Sequence, residues 1–458
     1  MLIMKFDDIV KAVGGKVIKK GNNFEYKYID TDTRKIHRGS IYIAIKGNNF
    51  NGNDFVSEAS SKGAVICIAD EINFNMEDIK EYTSVILVHD TRKALLDLAA
   101  YYRSLLNIKI IGITGSTGKT STKDLTCAAL SGRYRVYKTS GNFNNEIGMP
   151  LTLLNLGDEY DIAVIEMGMS NFGEIHNMAK AARPDMAIIT NIGISHIENL
   201  KSRENILKAK LEITDFFTKE NILIVNGDND LLSKVKSDKF KVIKAGMCEN
   251  CDLKGTLKNI GENYTDFSVQ ENGSEELYHI DLPGVHNVSN SLLAIECAKN
   301  FNMAPCEIRN GFKNLQTASM RLDIIKGKKF TVVNDCYNAS PDSVKAAIDV
   351  LCNIKCNRKI AVLGTMMELG DESYEAHKNA GKYAKEKGIN ILVTSGKFSD
   401  AIREGYEEGN KEGIFQYFDN YDSLTEYLLS ILNQGDAVLI KASRAMKFET
   451  ISDSLLVH

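Results

Sequence analysis

The sequence lacks the features that mark membrane, secreted and nucleic-acid-binding proteins. No apolar run reaches the roughly 20 residues that a membrane-spanning helix needs. Residues 1–8 lack the basic region and long apolar stretch of a secretory signal. The formal net charge is only −4, so the composition indicates neither nucleic acid nor an anionic membrane as a partner. We therefore expect a cytoplasmic protein without a membrane span.

Cysteine spacing gives no disulfide framework. The nine cysteines are odd in number, which fits reduced thiols in a cytoplasmic enzyme. Cys248 and Cys251 form a lone C-x-x-C, with no second such pair and no paired histidines. Because structural zinc usually takes four ligands, the sequence favours a chance pair here.

Proline is also scarce, and five prolines in 458 residues argue against long flexible linkers. Short apolar strands alternate with helical sequence, which predicts an α/β protein of three domains. We place a small N-terminal α/β domain at residues 1–88 and a central domain with a doubly wound, mostly parallel sheet at 89–318. A Rossmann-like C-terminal domain follows at 319–458. Alternating polarity between Lys241 and Gly284 predicts an antiparallel section at the edge of the central sheet.

A glycine-rich loop stands between a predicted strand and a predicted helix. Residues 108–113 are apolar and β-branched, and residues 121–130 have helical spacing. The loop reads Thr114-Gly115-Ser116-Thr117-Gly118-Lys119-Thr120. Its glycines let backbone N–H groups converge on an anion, Lys119 supplies positive charge, and the Thr120 hydroxyl suits a magnesium ion. Ile113 replaces the first glycine of the general pattern, so the sequence predicts a nucleotide-phosphate site with a shortened P-loop.

Polar residues follow three further elements of the central domain. Glu166 ends an apolar strand, His196 lies a few residues beyond another, and Lys208 and Lys210 lie on the next helix. Ligands bind at the carboxyl ends of parallel strands, so Glu166 and His196 could form a second magnesium site. Equally, such a glutamate can cap a helix or form a salt bridge, and a single histidine is often structural.

Other polar clusters allow two interpretations each. Asn144 and Asn145 lie in a turn that could contact a substrate or be a plain asparagine-rich turn. Asn287 and Asn290, three apart at a helix start, could read an adenine edge or cap the helix. The segment Thr31-Asp32-Thr33-Arg34 could bind a phosphate or form a capped, salt-bridged loop.

Together these motifs resemble the Mur ligase family. The resemblance rests on the shortened P-loop, Glu166, His196, Lys210 and His286-Asn287-x-x-Asn290, and it covers nearly the whole chain. It implies an ATP-dependent carboxylate–amine ligase with a UDP-sugar-binding domain, a central ATPase domain and a C-terminal domain that closes over the nucleotide.

The resemblance also implies roles for the site residues. Thr120 and Glu166 would serve two magnesium ions, and His196 would bind the second. Lys210 matches a lysine that is carbamylated in the family and helps to position that metal, although the nearby Lys208 leaves the register open.

Two residues of the C-terminal domain have implied roles toward ATP. Arg321 would reach the γ-phosphate, and Asp335 would lie near the ribose.

The outer domains are most similar to those of family members that add D-alanyl-D-alanine to UDP-N-acetylmuramoyl-tripeptide. The motifs that carry this similarity are Thr31-Asp32-Thr33-Arg34, Ala44-Ile45-Lys46-Gly47, Asp335-Cys336-Tyr337-Asn338-Ala339-Ser340-Pro341, Met367-Glu368-Leu369-Gly370 with His377, and Lys441-Ala442-Ser443-Arg444. They imply an enzyme of peptidoglycan precursor synthesis that forms an acyl phosphate. The motifs do not specify the oligomeric state, and we expect a monomer. The substrate contacts would come from residues 31–34, Asn144, Asn145, Tyr337, Asn338, Lys441, Ser443 and Arg444.

Alternatives within the family are a D-glutamate-adding or diaminopimelate/lysine-adding ligase and a folylpolyglutamate synthase, which the third-domain motifs disfavour. A regulatory P-loop GTPase would need an N-K-x-D segment, which the sequence lacks. Whether the third residue of the tripeptide is lysine or diaminopimelate leaves no readable motif.

Overall fold

The computed structural model describes residues 3–22, 25–47, 49–271, 273–408 and 413–457, so Met1 and Leu2 of the N-terminal segment lie outside the described residues. The described chain forms three α/β domains, each built on its own sheet. No helix within these ranges is long and apolar enough to cross a membrane.

The first domain is a five-stranded sheet in the order β1-β5-β4-β3-β2, in which only β1 is antiparallel to its neighbour. Its strands are β1 (Lys16–Lys19), β2 (Tyr28–Asp30), β3 (Ser40–Ile43), β4 (Ala64–Ala69) and β5 (Ser84–Leu87), and its helices are α1 (Phe6–Ala12) and α2 (Val56–Ser61). Helix α3 (Thr91–Leu105) follows, and the Asp90 side chain caps it by accepting from two backbone N–H groups.

The central domain has nine strands in the order β14-β13-β12-β11-β10-β9-β6-β8-β7. They are β6 (Lys109–Thr114), β7 (Val136–Lys138), β8 (Ile162–Glu166), β9 (Met186–Ile189), β10 (Ile222–Asn226), β11 (Lys241–Gly246), β12 (Leu253–Ile260), β13 (Thr265–Glu271) and β14 (Ser274–Ile280). The helices are α4 (Lys119–Ser131), α5 (Gly148–Leu154), α6 (Glu174–Ala182), α7 (Ile197–Leu200), α8 (Arg203–Leu211), α9 (Val285–Asn300) and α10 (Pro305–Phe312).

The predicted antiparallel edge is confirmed for β12 to β14 but is wrong for β11, which pairs in parallel with β10. The long connection between β10 and β11 returns the chain to the starting end of the sheet, which gives a parallel pair.

The C-terminal domain is a six-stranded sheet in the order β15-β16-β20-β17-β18-β19, parallel except for β15. The strands are β15 (Asp323–Lys326), β16 (Thr331–Asn334), β17 (Lys359–Leu363), β18 (Ile391–Thr394), β19 (Ile414–Tyr417) and β20 (Ala437–Lys441). The helices are α11 (Pro341–Asn353), α12 (Ser373–Glu386), α13 (Ser399–Glu407), α14 (Tyr421–Ile431) and α15 (Glu449–Val457).

Strand β6 lies between β9 and β8 and packs against the cores on both faces of the central sheet. Ile110 belongs to the core on one face of the central sheet, whereas Ile111 and Ile113 belong to the core on the other face. All three side chains are fully buried. A strand that is covered on both faces requires apolar residues throughout, which explains its β-branched sequence and fixes the loop that follows it.

Candidate active site

The glycine-rich loop joins the end of β6 to the start of α4 and is fastened to the segment after β9. The Asn191 carbonyl accepts from Ser116 N–H at 3.0 Å, and Asn191 Oδ1 accepts from Thr117 N–H at 2.7 Å. Lys119 Nζ donates to the Gly115 carbonyl at 2.8 Å. These bonds hold the loop in one conformation, with Gly118 at a φ of 78° just before the helix.

We expect Gly115→Ala to destabilise the protein and weaken nucleotide binding. The new Cβ would lie 1.8 Å from Thr190 Oγ1, and Gly115 has a φ of +154° that L-residues rarely adopt. The expected loss is about 3 kcal/mol in the free energy of unfolding, measured by urea denaturation. Gly388→Ala is the control, because Gly388 also has positive φ but open space around it, and there the loss should be about 1 kcal/mol. Equal losses in the two variants would contradict the steric argument.

Glu166 lies at the carboxyl end of β8, beside the first turn of α4. Its Oε2 accepts from Thr120 Oγ1 at 2.9 Å, and its Oε1 accepts from Asn144 Nδ2 at 2.7 Å. A buried hydroxyl and a buried carboxylate in contact are the oxygen donors that Mg²⁺ prefers. Lys123 Nζ is 4.0 Å from the same carboxylate oxygen. Sequence reasoning missed Lys123, one turn beyond Lys119, because it shows no motif of its own.

His196 connects the central domain to the C-terminal domain. It has a φ of 64° at the start of α7, and its Nδ1 is 2.5 Å from Glu368 Oε2. This contact with His196 lowers the pKa of the Glu368 carboxyl. The Glu198 N–H donates to the Glu368 carbonyl at 3.4 Å, so two contacts join the same loops. Sequence analysis quoted Glu368 only as part of a motif, whereas the structure places its carboxylate at the site.

Lys210 is almost fully buried in α8, whereas Lys208 on the same helix is exposed. Burial and then the charge of Lys119 hold the pKa of Lys210 well below its usual range. Within the described residues no carboxylate forms a salt bridge with Lys210. A buried amine without a counter-charge is disfavoured as a cation.

Arg321 and Tyr337 come from the C-terminal domain and face the glycine-rich loop of residues 114–120, which we call the phosphate loop. The Arg321 guanidinium lies over the Tyr337 ring at 4.0 Å. Its Nε is buried without a hydrogen-bond partner among the described residues. Burial lowers the pKa of Lys119, and the nearby charge of Arg321 adds to that effect. Lys119 and Arg321 are neighbouring cations, and neither forms a salt bridge among the described residues. Such a pair suits an anionic ligand.

Lys441 is buried at the end of β20 and binds the segment that follows β16. Its Nζ donates to the Asp335 carboxylate and, at 2.9 Å, to the Asn338 carbonyl. In the next turn, Ser443 Oγ accepts from Met367 N–H at 2.9 Å. Arg444 is exposed, and its guanidinium lies 3.1 Å from Glu449. Lys441 and Ser443 therefore position this edge of the site through bonds within the domain.

Both ring nitrogens of His377 contact backbone groups of its own domain. Its Nε2 accepts from Met366 N–H at 2.8 Å, and its Nδ1 lies 2.6 Å from the Ser373 carbonyl. These bonds fix the neutral tautomer that donates from Nδ1 and anchor the loop that carries Glu368.

Asn287 and Asn290 lie in the first two turns of α9, next to the phosphate loop. Asn287 Nδ2 donates to the Pro283 carbonyl at 2.8 Å, and Asn290 Nδ2 donates to Asn287 Oδ1 at 3.2 Å. Burial lowers the pKa of the adjacent His286 to about 4, so this imidazole is neutral at pH 7.

These groups surround a cavity of about 750 Å³ between the central and C-terminal domains. The predicted site residues that line it are Ser116, Thr117, Gly118, Lys119, Thr120, Asn144, Asn145, Glu166, His196, Asn287, Asn290, Arg321, Asp335, Tyr337, Asn338, Lys441, Ser443 and Arg444. Thr114, Gly115 and Lys210 do not line the cavity.

The predicted cluster at residues 31–34 lies apart from this cavity, in the first domain. There Asp32 caps a short turn by accepting from Arg34 N–H, and its carboxylate is 2.7 Å from the Arg34 guanidinium. The Arg34 guanidinium lowers the pKa of the Asp32 carboxyl to about 2. The Arg34 side chain is 86% exposed, so it is accessible to an anionic ligand.

Comparisons with known proteins cover nearly the whole chain. Residues 25–103 match the catalytic domain of the Mur ligase family, residues 113–298 match the Mur ligase middle domain, and residues 320–444 match the Mur ligase glutamate ligase domain. The chain is 39% identical to UDP-N-acetylmuramoyl-tripeptide--D-alanyl-D-alanine ligase of Bacillus subtilis, over 93% of each chain. It is 31% identical to the protein of the same name from Escherichia coli, over 99% of each.

Solved structures of Mur ligases are similar to this chain over nearly its whole length. The crystal structure of MurF from Acinetobacter baumannii has a TM-score of 0.91 and 28% identity, with 99% of each chain covered. MurF ligase from Thermotoga maritima in complex with ADP has a TM-score of 0.81 and 27% identity, covering 94% of this chain and 97% of that one. A folylpolyglutamate synthase from Mycobacterium tuberculosis, with a TM-score of 0.60 and 16% identity, shares the fold alone.

Proposed function

We propose that this chain, which belongs to the Mur ligase family, joins D-alanyl-D-alanine to UDP-N-acetylmuramoyl-tripeptide and converts ATP to ADP and phosphate. The observation that carries the proposal is the cavity in which Lys119 of the phosphate loop faces Arg321 and Tyr337 of the C-terminal domain. The names of the B. subtilis and E. coli relatives state the same two substrates. The reaction is a step of peptidoglycan precursor synthesis, and we place it in the cytoplasm, where ATP is available.

The reaction has two steps. The terminal carboxylate of the tripeptide attacks the γ-phosphorus of ATP, which gives an acyl phosphate and ADP. The amine of D-alanyl-D-alanine then attacks the acyl carbon, the bond from that carbon to the phosphate oxygen breaks, and the departing phosphate takes up the amine proton. Two anions must meet in the first step, so Lys119 and Arg321 lower the barrier by placing positive charge where the phosphoryl group transfers.

The donor set fits magnesium. Thr120 and Glu166 supply oxygen donors in contact, and His196 lines the same cavity. Two magnesium ions bound there would neutralise phosphate charge. Glu368 contacts the His196 ring at Nδ1, so Nε2 would be the nitrogen that binds a metal ion.

Lys210 fits carbamylation. Its amine is buried, lacks a counter-charge among the described residues and has a lowered pKa, and a neutral amine is the form that adds carbon dioxide. The carbamate would supply an anionic, carboxylate-like group beside Lys119.

We also propose a ligand for each of the three domains. Residues 1–88 would bind the UDP-sugar, with Thr31-Asp32-Thr33-Arg34 offering the exposed Arg34 to the diphosphate. Residues 89–318 would bind ATP, with Asn287 and Asn290 near the nucleoside, and Asp335 of the C-terminal domain would approach the ribose. Residues 319–458 would close over ATP and receive D-alanyl-D-alanine. A monomeric state stays a prediction.

An assay with each candidate amine tests the function. We expect ADP release to require both UDP-N-acetylmuramoyl-tripeptide and D-alanyl-D-alanine, because the acyl phosphate needs this acceptor to complete turnover. D-glutamate or diaminopimelate in place of the dipeptide should lower kcat/KM at least about 100-fold, since buried polar groups then lack partners. ADP release is followed by a coupled enzyme assay. Turnover with D-glutamate and none with the dipeptide would overturn the assignment in favour of another amino-acid-adding ligase.

A further inference from the structure

Two turns at the carboxyl ends of neighbouring strands bring together three metal-ligating side chains outside the cavity. Asp228 follows β10, and Cys248 and Cys251 lie in the turn after β11. Because β10 and β11 are parallel, both turns lie at the same edge of the sheet. The two sulfur atoms are 2.9 Å apart, and the ligand atoms of all three residues lie within 4.8 Å of one another.

Backbone groups hold the carboxylate in place. Asp228 Oδ1 accepts from Met247 N–H and Cys248 N–H, both at 2.8 Å. The Cys251 N–H donates to the Cys248 carbonyl at 3.3 Å and closes the turn. The carboxylate and the two sulfur atoms are therefore oriented toward one another before any ligand binds, as expected of a built site.

We propose that Cys248, Cys251 and Asp228 bind a divalent zinc-class ion, with water as the fourth ligand. Thiolate and carboxylate are ligands that zinc takes in tetrahedral geometry. From the sequence, Cys248 and Cys251 were expected to be a chance pair, because only two ligands were visible. The fold supplies the third from a residue well upstream. Binding releases the two thiol protons to the buffer, so affinity rises with pH.

The surroundings favour a metal over a redox-active thiol pair. Reactive cysteines have a lowered pKa, usually beside a cation or at a helix N-terminus. Here the neighbouring charge is instead the Asp228 carboxylate, which lies within 4.8 Å of the ligand atoms of both cysteines. No helix of the described chain begins at either cysteine. A divalent cation would offset the charge of Asp228 and of the two thiolates that form when it binds.

The site lies next to the nucleotide cavity. Asp228 Oδ2 accepts from Ser289 Oγ at 3.2 Å, and Ser289 lines the cavity in the helix that carries Asn287 and Asn290. Asn226, whose Oδ1 accepts from Asp228 N–H at 2.9 Å, lines it too. The bound ion would therefore fasten two loops at the wall of this cavity.

Cobalt titration of the full chain tests the proposal. The protein is reduced with a phosphine, stripped with EDTA, dialysed, and titrated with Co²⁺ in millimolar Mg²⁺, which occupies the magnesium positions. We expect one equivalent of Co²⁺ to produce the near-ultraviolet charge-transfer band of thiolate ligation, and one equivalent of Zn²⁺ to abolish it. Absence of the band in the wild type would overturn the proposal.

Variants assign the ligands. Cys248→Ser and Cys251→Ser should each abolish the band, whereas Asp228→Asn should weaken Co²⁺ binding by about 10- to 100-fold. Cys306→Ser, which removes an exposed thiol elsewhere, should leave the titration unchanged. A band that persists in Cys251→Ser, or equal affinity in Asp228→Asn and the wild type, would contradict the ligand set. Circular dichroism of each variant confirms that a lost band does not reflect unfolding.

Discussion

Replacing Lys119 with methionine is expected to lower kcat/KM for ligation by about 10³-fold. Lys119 is the first residue of α4, the helix that follows the phosphate loop. Its ammonium group faces Arg321 across the cavity, so its charge acts where the phosphoryl group transfers. Folding should be little affected. Loss of the 2.8 Å bond to the Gly115 carbonyl costs about 1 kcal/mol, and removal of a partly buried charge offsets that cost. Coupled-assay kinetics and thermal unfolding measure the two effects separately.

Lys109→Met is the matched control. Lys109 starts β6, the strand that leads into the phosphate loop, but its side chain is 62% exposed and pairs with Asp185 on the surface. Exposed pairs contribute about 0–1 kcal/mol, so both activity and stability should stay close to the wild type. A Lys119→Met enzyme that kept its activity within threefold would show that the loop lysine does not serve the transferred phosphoryl group.

The elements around β6 could be predicted from sequence because local patterns determine them. Ile110, Ile111 and Ile113 are buried on alternate faces, and such a strand must be apolar at each of these positions. The loop glycines and the Lys-Thr pair then mark the start of α4. The edge strands β15 and β19 were not predicted. Strand β19 is largely exposed, so it has no apolar run to recognise.

Contacts between distant segments could not be predicted from the residues alone. The approach of Glu368 to His196 depends on how the C-terminal domain packs on the central domain. The approach of Asp228 to the two cysteines depends on a parallel pairing that the sequence analysis mistook for an antiparallel one. The first contact follows from domain packing and the second from strand pairing. The periodicity of a sequence specifies neither.

The choice between Lys208 and Lys210 illustrates the same limit. Both are lysines one helical half-turn apart, and their spacing does not say which faces the core. In the structure Lys210 is buried and Lys208 is exposed, so burial distinguishes the lysine that could become a carbamate from the one that is solvated.

Lys210→Ala is expected to lower kcat by about two to three orders of magnitude, and short carboxylic acids should restore part of it. Burial and the charge of Lys119 hold the pKa of the Lys210 amine well below its usual range, which favours the neutral form that adds carbon dioxide. The carbamate is an anion that the Lys119 ammonium attracts, whereas a protonated Lys210 amine would be repelled. Alanine removes that anion and leaves a space that acetate or formate can enter. The measurement is kcat with and without each acid, at fixed ionic strength.

Three comparisons separate the carbamate from a purely structural role of the side chain. Acetamide has the size of acetate without its charge, so it should not restore activity. Lys208→Ala, on the exposed face of the same helix, should behave as the wild type. Protein equilibrated with ¹³C-labelled bicarbonate should show a carbamate resonance that Lys210→Ala lacks. Unchanged activity in Lys210→Ala would remove the carbamate proposal, and equal rescue by acetamide and acetate would show that the space, and not the charge, was missing.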